Sequence, residues 1–193
     1  MKLVGTMNES IKNQFDEHLE IVKKNIHLIE QIELTAEIII ECYKNEKKVL
    51  ICGNGGSAAD AQHISTELVG KYEKYRKALA AIALSTDTSM LTAWSNDDCY
   101  ENIFSRQVEG LGKKGDVLIV ISTSGNSENV IRALNKAKKL GLKTIAFLGK
   151  DGGKTKGLAD VELIVDSDRT CRIQELHELC YHIICGLVED NFS

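Results

Sequence analysis

The sequence contains no proline, so no turn is rigidified by a pyrrolidine ring. It has no run of about 18 apolar residues, which argues against a membrane span. The start of the chain, 1–13, lacks a basic segment followed by an apolar one, so a secretory leader is not expected. Positive charge is not in excess: 24 Lys and Arg face 28 Asp and Glu, a formal net charge of −4. No general attraction to nucleic acid or to an anionic membrane follows, and an anionic ligand would need a local positive site. The six cysteines, at 42, 52, 99, 171, 180 and 185, form no C-x-x-C pair and have no zinc-cluster spacing. Several fall in apolar stretches and read as reduced core thiols of a cytoplasmic protein.

What is present fits one globular domain. The 193 residues match a single unit at roughly 150 residues per domain. Residues 7–45 read as two helices, with Ile11, Phe15, Leu19 and Val22 at helical spacing and Ile32, Ala36, Ile39, Ile40 and Tyr43 continuing it. From Lys47 short apolar runs alternate with helical patterns. Strands are expected at 49–52, 79–84, 117–121, 144–148 and 161–165. Helices are expected from the first glycine loop to about Tyr72, at 87–95, 101–111, 126–140 and from about Arg172 to Asp190. This alternation implies an α/β fold, a parallel sheet covered on both faces. Open sheets of this kind bind ligands beyond the carboxyl ends of their strands.

Two loops lie at such ends. Ser122-Thr123-Ser124-Gly125-Asn126-Ser127 puts four hydroxyls between a strand and a helix. A helix start attracts anions through its unpaired amides and dipole, and hydroxyls add neutral donors. No P-loop lysine follows the glycine, so the loop reads as a cradle for a phosphate that is held and not cleaved. The alternative is an ordinary turn, since Ser and Thr are good N-caps. Gly53-Asn54-Gly55-Gly56-Ser57 lacks the dinucleotide spacing, because Ala58 stands at the third glycine position. It reads as a turn whose glycines let a small ligand approach the backbone, or as a simple strand-to-helix turn.

Titratable groups cluster on two helices. His63 and Glu67 are four apart and share a face. Gln174, Glu175, His177, Glu178 and His182 line the last helix beside the apolar stripe Ile173, Leu176, Tyr181 and Ile184. Each set could be a solvated polar face; together, two histidines and a carboxylate could bind zinc.

The ordered blocks Cys52-Gly53-Asn54-Gly55-Gly56-Ser57, Asp60-Ala61-Gln62-His63, Glu67-Leu68, Asn96-Asp97, Ile103-Phe104-Ser105-Arg106, 121–127, Gly149-Lys150-Asp151-Gly152-Gly153 and Arg172-Ile173-Gln174-Glu175 carry a resemblance. The chain resembles the sugar isomerase (SIS) domain family and, within it, the sedoheptulose-7-phosphate (phosphoheptose) isomerases, from about Gln14 to Glu189. The resemblance implies a flavodoxin-like three-layer sandwich with a five-stranded parallel sheet, a single SIS domain over 1–193. It implies that the helical pair at 7–45 serves oligomerisation, in a homotetramer with active sites between subunits. It implies that Ser122, Thr123, Ser124 and Ser127 bind the phosphate and that Asn54, Gly55, Gly56, Ser57, Lys71, Asn96, Asp97 and Gln174 contact the rest of a sugar phosphate. Glu67 and His182 match the catalytic pair, and His63, Glu67, Gln174 and His182 match the zinc ligands, one ion per subunit. Gln174 and His182 stand about 12 Å apart along a helix and point about 80° apart, so neighbouring chains are candidates to complete the metal site.

The expected reaction is the interconversion of sedoheptulose 7-phosphate and D-glycero-D-manno-heptose 7-phosphate through an enediol, in heptose biosynthesis for lipopolysaccharide or capsule. Glu67 is the expected base, and His182 is expected to move the proton on oxygen. Lys71 stands where these isomerases usually have arginine, and Ser95 where glycine is common, which bears on affinity or substrate preference. Two rivals are a non-catalytic SIS adaptor that binds a replication initiator and an isomerase for another sugar phosphate. Retention of His63, Glu67, Gln174 and His182 argues for the enzyme.

Overall fold

The computed structural model of the chain describes residues 2–193, with side chains from Thr6 onward; Met1, where the domain and the stretch read for a leader begin, lies outside the described residues. In chain order the elements are α1 (Lys2–Lys24), a 3-10 turn at Ile26–Leu28, α2 (Ile29–Lys44), β1 (Val49–Gly53), α3 (Gly56–Val69), β2 (Ala81–Ala83) and α4 (Thr88–Asp97). There follow α5 (Ile103–Leu111), β3 (Val117–Ser122), α6 (Glu128–Leu140), β4 (Lys143–Gly149), β5 (Val161–Val165) and α7 (Thr170–Asp190). The five strands are parallel in the order β2-β1-β3-β4-β5.

Strand period builds the three layers. Successive side chains point to opposite faces, so an apolar run can feed two cores at once. Val117, Ile119 and Ile121 of β3 face α2, α3 and α7, where Ile39, Ile64, Leu68, Leu176 and Tyr181 meet them. Leu118 and Val120 face the other way, against Phe104 and Val108 of α5 and Val130, Leu134 and Ala137 of α6. Both sheet faces are thereby covered, as an all-parallel sheet requires. Among the described residues no helix is long and apolar enough to cross a membrane.

Several boundaries differ from the sequence reading. β2 is three residues long, because it is the sheet edge and Leu79 donates its amide to Leu68 O of α3. α3 stops at Val69, not near Tyr72, because the amides of Tyr72, Glu73 and Lys74 turn to the Glu189 carboxylate on α7. α6 begins at Glu128, so Asn126 and Ser127 remain in the loop. Side chains in the second half of α1 fasten it to the segment leading into α7 and to α7 itself. His18 Nδ1 meets Glu175 Oε2 at 2.7 Å, Arg169 and Arg172 reach Glu17 and Gln14, and Asn25 Oδ1 accepts from the Asp166 amide. Its stripe Met7, Ile11, Phe15 and Leu19 stays exposed, with Phe15 at 69%.

The switch in chain direction falls between β1 and β3: from β1 the sheet grows to β2 on one side and to β3, β4 and β5 on the other. Crevices at such points collect ligands. The glycine loop after β1 and the hydroxyl loop after β3 flank this one.

His177 shows that the polar set on α7 is not one face. It is fully buried, its Nε2–H donates to Leu148 O at 2.8 Å, and Nδ1 has no partner. Burial pulls its pKa down to about 4, against the smaller upward effect of the Leu148 carbonyl. The folded chain thus binds this proton less readily than the unfolded chain, whose imidazole titrates near 6.5. The resulting stabilisation is fully present above pH ~6.5 and is lost as pH falls towards ~4, a contribution of roughly 3 kcal/mol. Urea unfolding of H177Q at pH 7.5 and 4.5 is expected to lose less stability between the two than the parent. An equally steep loss in H177Q would show that another group titrates.

Candidate active site

The hydroxyl loop is shaped by its backbone. Gly125 has φ +63°, and a Cβ there would run into the Gly152 carbonyl. Gly125 O accepts the Thr155 amide and hydroxyl, Asn126 Oδ1 accepts the Lys154 amide, and Asn126 Nδ2 donates to Ser124 O. The turn at Gly149–Thr155 therefore backs the loop. Ser127 stands at the N-cap position of α6 and makes no side-chain capping bond. Its hydroxyl lies 3.3 Å from that of Ser122. This departs from an ordinary capped turn, in which the hydroxyl serves the helix amides. Thr123 and Ser124 are partly exposed; the Ser124 hydroxyl also accepts the Asn126 amide.

The glycine loop sits one strand away. Gly55 has φ +57° and leads into α3, and Ser57 is buried. Asn54 is locked in place: its amide pairs reciprocally with Asn129 at 2.9 Å both ways, and its Oδ1 also accepts from Tyr100 at 2.9 Å. Asn129 and Tyr100 were not singled out from sequence, since nothing local marks them as partners of a residue 46 to 75 positions away. The Gln174 amide of α7 lies over Gly56, where a side chain would collide with it. Asn96 and Asp97 end α4, exposed and bonded to each other. Lys71 follows α3, with its ammonium 5.3 Å from the Tyr75 ring centre.

The titratable groups meet where α3 packs on α7. His63 Nε2 is 3.3 Å from Glu67 Oε1 and 3.4 Å from His182 Nε2. His63 Nδ1 is 3.0 Å from the Tyr181 hydroxyl and 3.8 Å from Glu178 Oε1. Glu67 is the more enclosed carboxylate, its side chain 17% exposed against 51% for Glu178. Burial, and then Glu178, push the Tyr181 phenol well above its ordinary value, so it stays a neutral hydroxyl. The polar set on α7 splits three ways. Gln174, Glu178 and His182, at spacing four, face this region; Glu175 binds Arg172 and His18; His177 is in the core.

The donor set suits a metal ion. His63, Glu178 and His182 offer ligand atoms all within 4.8 Å of one another. Two nitrogens bound to one tetrahedral ion at ~2.0–2.1 Å stand about 3.3–3.4 Å apart. The two Nε2 atoms are at 3.4 Å. Glu178, one of the titratable α7 residues but outside the ligand set that the family resemblance implies, thus joins the group; its i, i+4 relation to His182 is the local signal. Gln174 lies two turns earlier on α7, over Gly56. A cavity of about 610 Å³ lined by Leu34, Ile38, Cys42 and Val117 lies at the amino ends of the strands and contains none of these groups.

Residues 13–149 match the SIS domain family. The phosphoheptose isomerase of a Helicobacter pylori strain is 54% identical over 188 residues, covering 97% of this chain and 98% of that protein. That of a Nitratiruptor species is 55% identical over 187 residues, covering 96% and 100%. The solved structure of a phosphoheptose isomerase from Neisseria gonorrhoeae superposes with a TM-score of 0.89 at 44% identity, covering 94% of this chain and 99% of that one.

The backing of the hydroxyl loop is directly testable. Gly125→Ala is expected to lose at least ~2 kcal/mol of stability, from the strained φ and the backbone collision. Gly110 in α5 has nothing within 4 Å of an added Cβ, so Gly110→Ala is expected to be neutral or slightly stabilising. Equal urea midpoints for the two variants would refute the constraint at Gly125.

Proposed function

This chain belongs to the phosphoheptose isomerases of the SIS domain family, and we propose the roles its residues play in converting sedoheptulose 7-phosphate into D-glycero-D-manno-heptose 7-phosphate. The chain is an aldose–ketose isomerase, a catalyst of intramolecular proton transfer, and its product serves heptose biosynthesis. Glu67 removes the proton beside the carbonyl and returns it to the neighbouring carbon, giving an enediol between. His182 moves the proton on oxygen. The single observation that carries this reading is the convergence of Glu67, His63 and His182 within 3.4 Å contacts where α3 meets α7. An enclosed carboxylate beside imidazoles is the equipment that proton shuttling between adjacent carbons needs.

The hydroxyls of Ser122, Thr123, Ser124 and Ser127 hold the phosphate, supported by the uncapped Ser127 and the start of α6. Binding energy at this inert end orients the reacting end. Asn54, Gly55, Gly56, Ser57, Asn96, Asp97, Gln174 and Lys71 contact the remainder of the sugar phosphate. Asn54 enters that role already oriented by Asn129 and Tyr100.

We assign zinc to His63 and His182, with Glu67 and Gln174 or with Glu178 completing the set. When bound, the ion polarises the carbonyl or fixes the sugar oxygens. Coordination through Glu178 would leave Glu67 unligated and the stronger base. We also assign a homotetramer with sites at subunit interfaces. Its support is the exposed stripe of α1 and the exposed Leu179, Ile183 and Leu187 on α7, spaced four apart beside the titratable cluster. A cytoplasmic location accords with six free cysteines, four of them buried.

With sedoheptulose 7-phosphate as substrate and fructose 6-phosphate and ribulose 5-phosphate as comparisons, aldose formation is expected from the heptulose. Its absence would defeat the substrate assignment. Glu67→Gln is expected to lower kcat by ~10²–10⁴-fold with KM little changed; undiminished turnover would remove Glu67 as the base. Ser124→Ala is expected mainly to raise KM. Elemental analysis of the purified protein is expected to find about one zinc per chain, reduced in His182→Ala; metal-free active protein would end the zinc assignment. Sedimentation is expected to show a tetramer that Phe15→Glu dissociates, and a monomeric parent would end that one.

A further inference from the structure

One buried ion pair lies outside everything assigned above. Arg76 follows α3, and Glu189 closes α7; their side chains are 1% and 2% exposed, with Arg76 Nε 3.5 Å from Glu189 Oε1. That separation is an ion pair and too long for a good hydrogen bond, and Nε has no other partner. The remaining guanidinium nitrogens do bond. One donates to Glu67 O at 2.7 Å, the other to Leu68 O at 2.9 Å and Lys77 O at 3.1 Å. Glu67 and Leu68 sit in the last turn of α3, where carbonyls have no partner within the helix. Arg76 therefore caps the helix end on which Glu67 stands, with a positive charge where the dipole favours one.

Glu189 does the reciprocal work. Its carboxylate accepts the amides of Tyr72 at 2.8 Å and of Glu73 and Lys74 at 2.6 Å each. Burial alone would raise its pKa; the three amides and Arg76 outweigh that and hold it below the ordinary carboxylate value. Tyr72, whose amide is thus fixed, stacks its ring on His182 with centres 5.8 Å apart and planes at 30°. His182 and Glu189 are seven residues apart, two turns along one face of α7.

We propose that Arg76 and Glu189 are positioning residues that set Glu67 against His182, Arg76 through the Glu67 carbonyl and Glu189 through Tyr72. This rests on the reading of Glu67 as base and His182 as its partner. A desolvated pair at this position is a poor source of stability, because its Coulomb gain is largely offset by lost hydration. Its geometric product is the joining of the ends of two helices, one carrying Glu67 in its last turn and the other carrying His182 two turns before its end.

The test uses the full-length protein with sedoheptulose 7-phosphate. Arg76→Lys keeps a charge for Glu189 and loses the two-carbonyl fork. It is expected to fold and to lower kcat 10- to 100-fold with KM within about twofold, in line with the cost of ångström-scale misplacement. Arg76→Ala is expected to fall further and to recover part of its kcat in millimolar guanidinium, which the parent does not. If Arg76→Ala does not fold, the Arg76→Lys result decides. Wild-type kcat in Arg76→Lys overturns the proposal, as does a loss confined to KM. In a Glu67→Gln background Arg76→Lys is expected to cause no further loss, since it acts through Glu67; additive losses would overturn it. Failure of the underlying reading has its own signature: normal turnover by Glu67→Gln alone.

Discussion

Everything at the site depends on the pairing of β1 with β3 at the middle of the sheet. The register runs from Val49 opposite Val117 to Gly53 opposite Ile121, so the two strands end side by side. Both are buried on both faces, and neither can slip without moving a whole apolar set. The chain leaves β1 towards one edge and β3 towards the other, which opens a crevice between their loops. Neither loop could form it alone. Their adjacency is a property of the sheet, and the loop residues inherit their places from it.

The two ends of the candidate site use different physics. At the β3 end the donors are neutral hydroxyls and the start of a helix, held by a second turn at Gly149–Thr155. At the α3–α7 contact the groups are ionisable, and their relation is set by helix packing and by the Arg76–Glu189 pair. The first arrangement suits a group whose charge does not change; the second suits protons in motion. In the function proposed here, the rigid backbone of one end makes the small displacements of the other meaningful.

Much of the fold was legible because it is written in local period. The apolar runs at 49–52 and 117–121 and the helical spacing of α6 and α7 needed no tertiary knowledge. Local pattern misleads where tertiary contacts override it. α3 ends early because amides at 72–74 are drawn to a carboxylate 115 to 117 residues away. Ser127 stands at the N-cap of α6, yet its hydroxyl faces Ser122 and makes no capping bond to the helix. His177 is polar by type and core by position, because a carbonyl in β4 accepts the hydrogen bond its Nε2–H donates. The family resemblance pointed to His63, Glu67 and His182 as a set, and the structure brings them together. Asn129, Tyr100 and Arg76 carry no local signal, since each matters through a side chain or carbonyl distant in sequence or beyond a helix end.

The fastening of α1 has a consequence for how the chain is made. The first helix is held by the last: His18 to Glu175, Glu17 and Gln14 to Arg169 and Arg172. The segment after α3 likewise waits for Glu189. Contacts of such sequence separation close late, since each must overcome a long loop's entropy. During synthesis α1 therefore emerges with its apolar stripe exposed and stays undocked until α7 has been translated. A nascent chain stalled before α7 would lack both the partner of α1 and the helix that carries His182, so no partly made product would carry the assembled site.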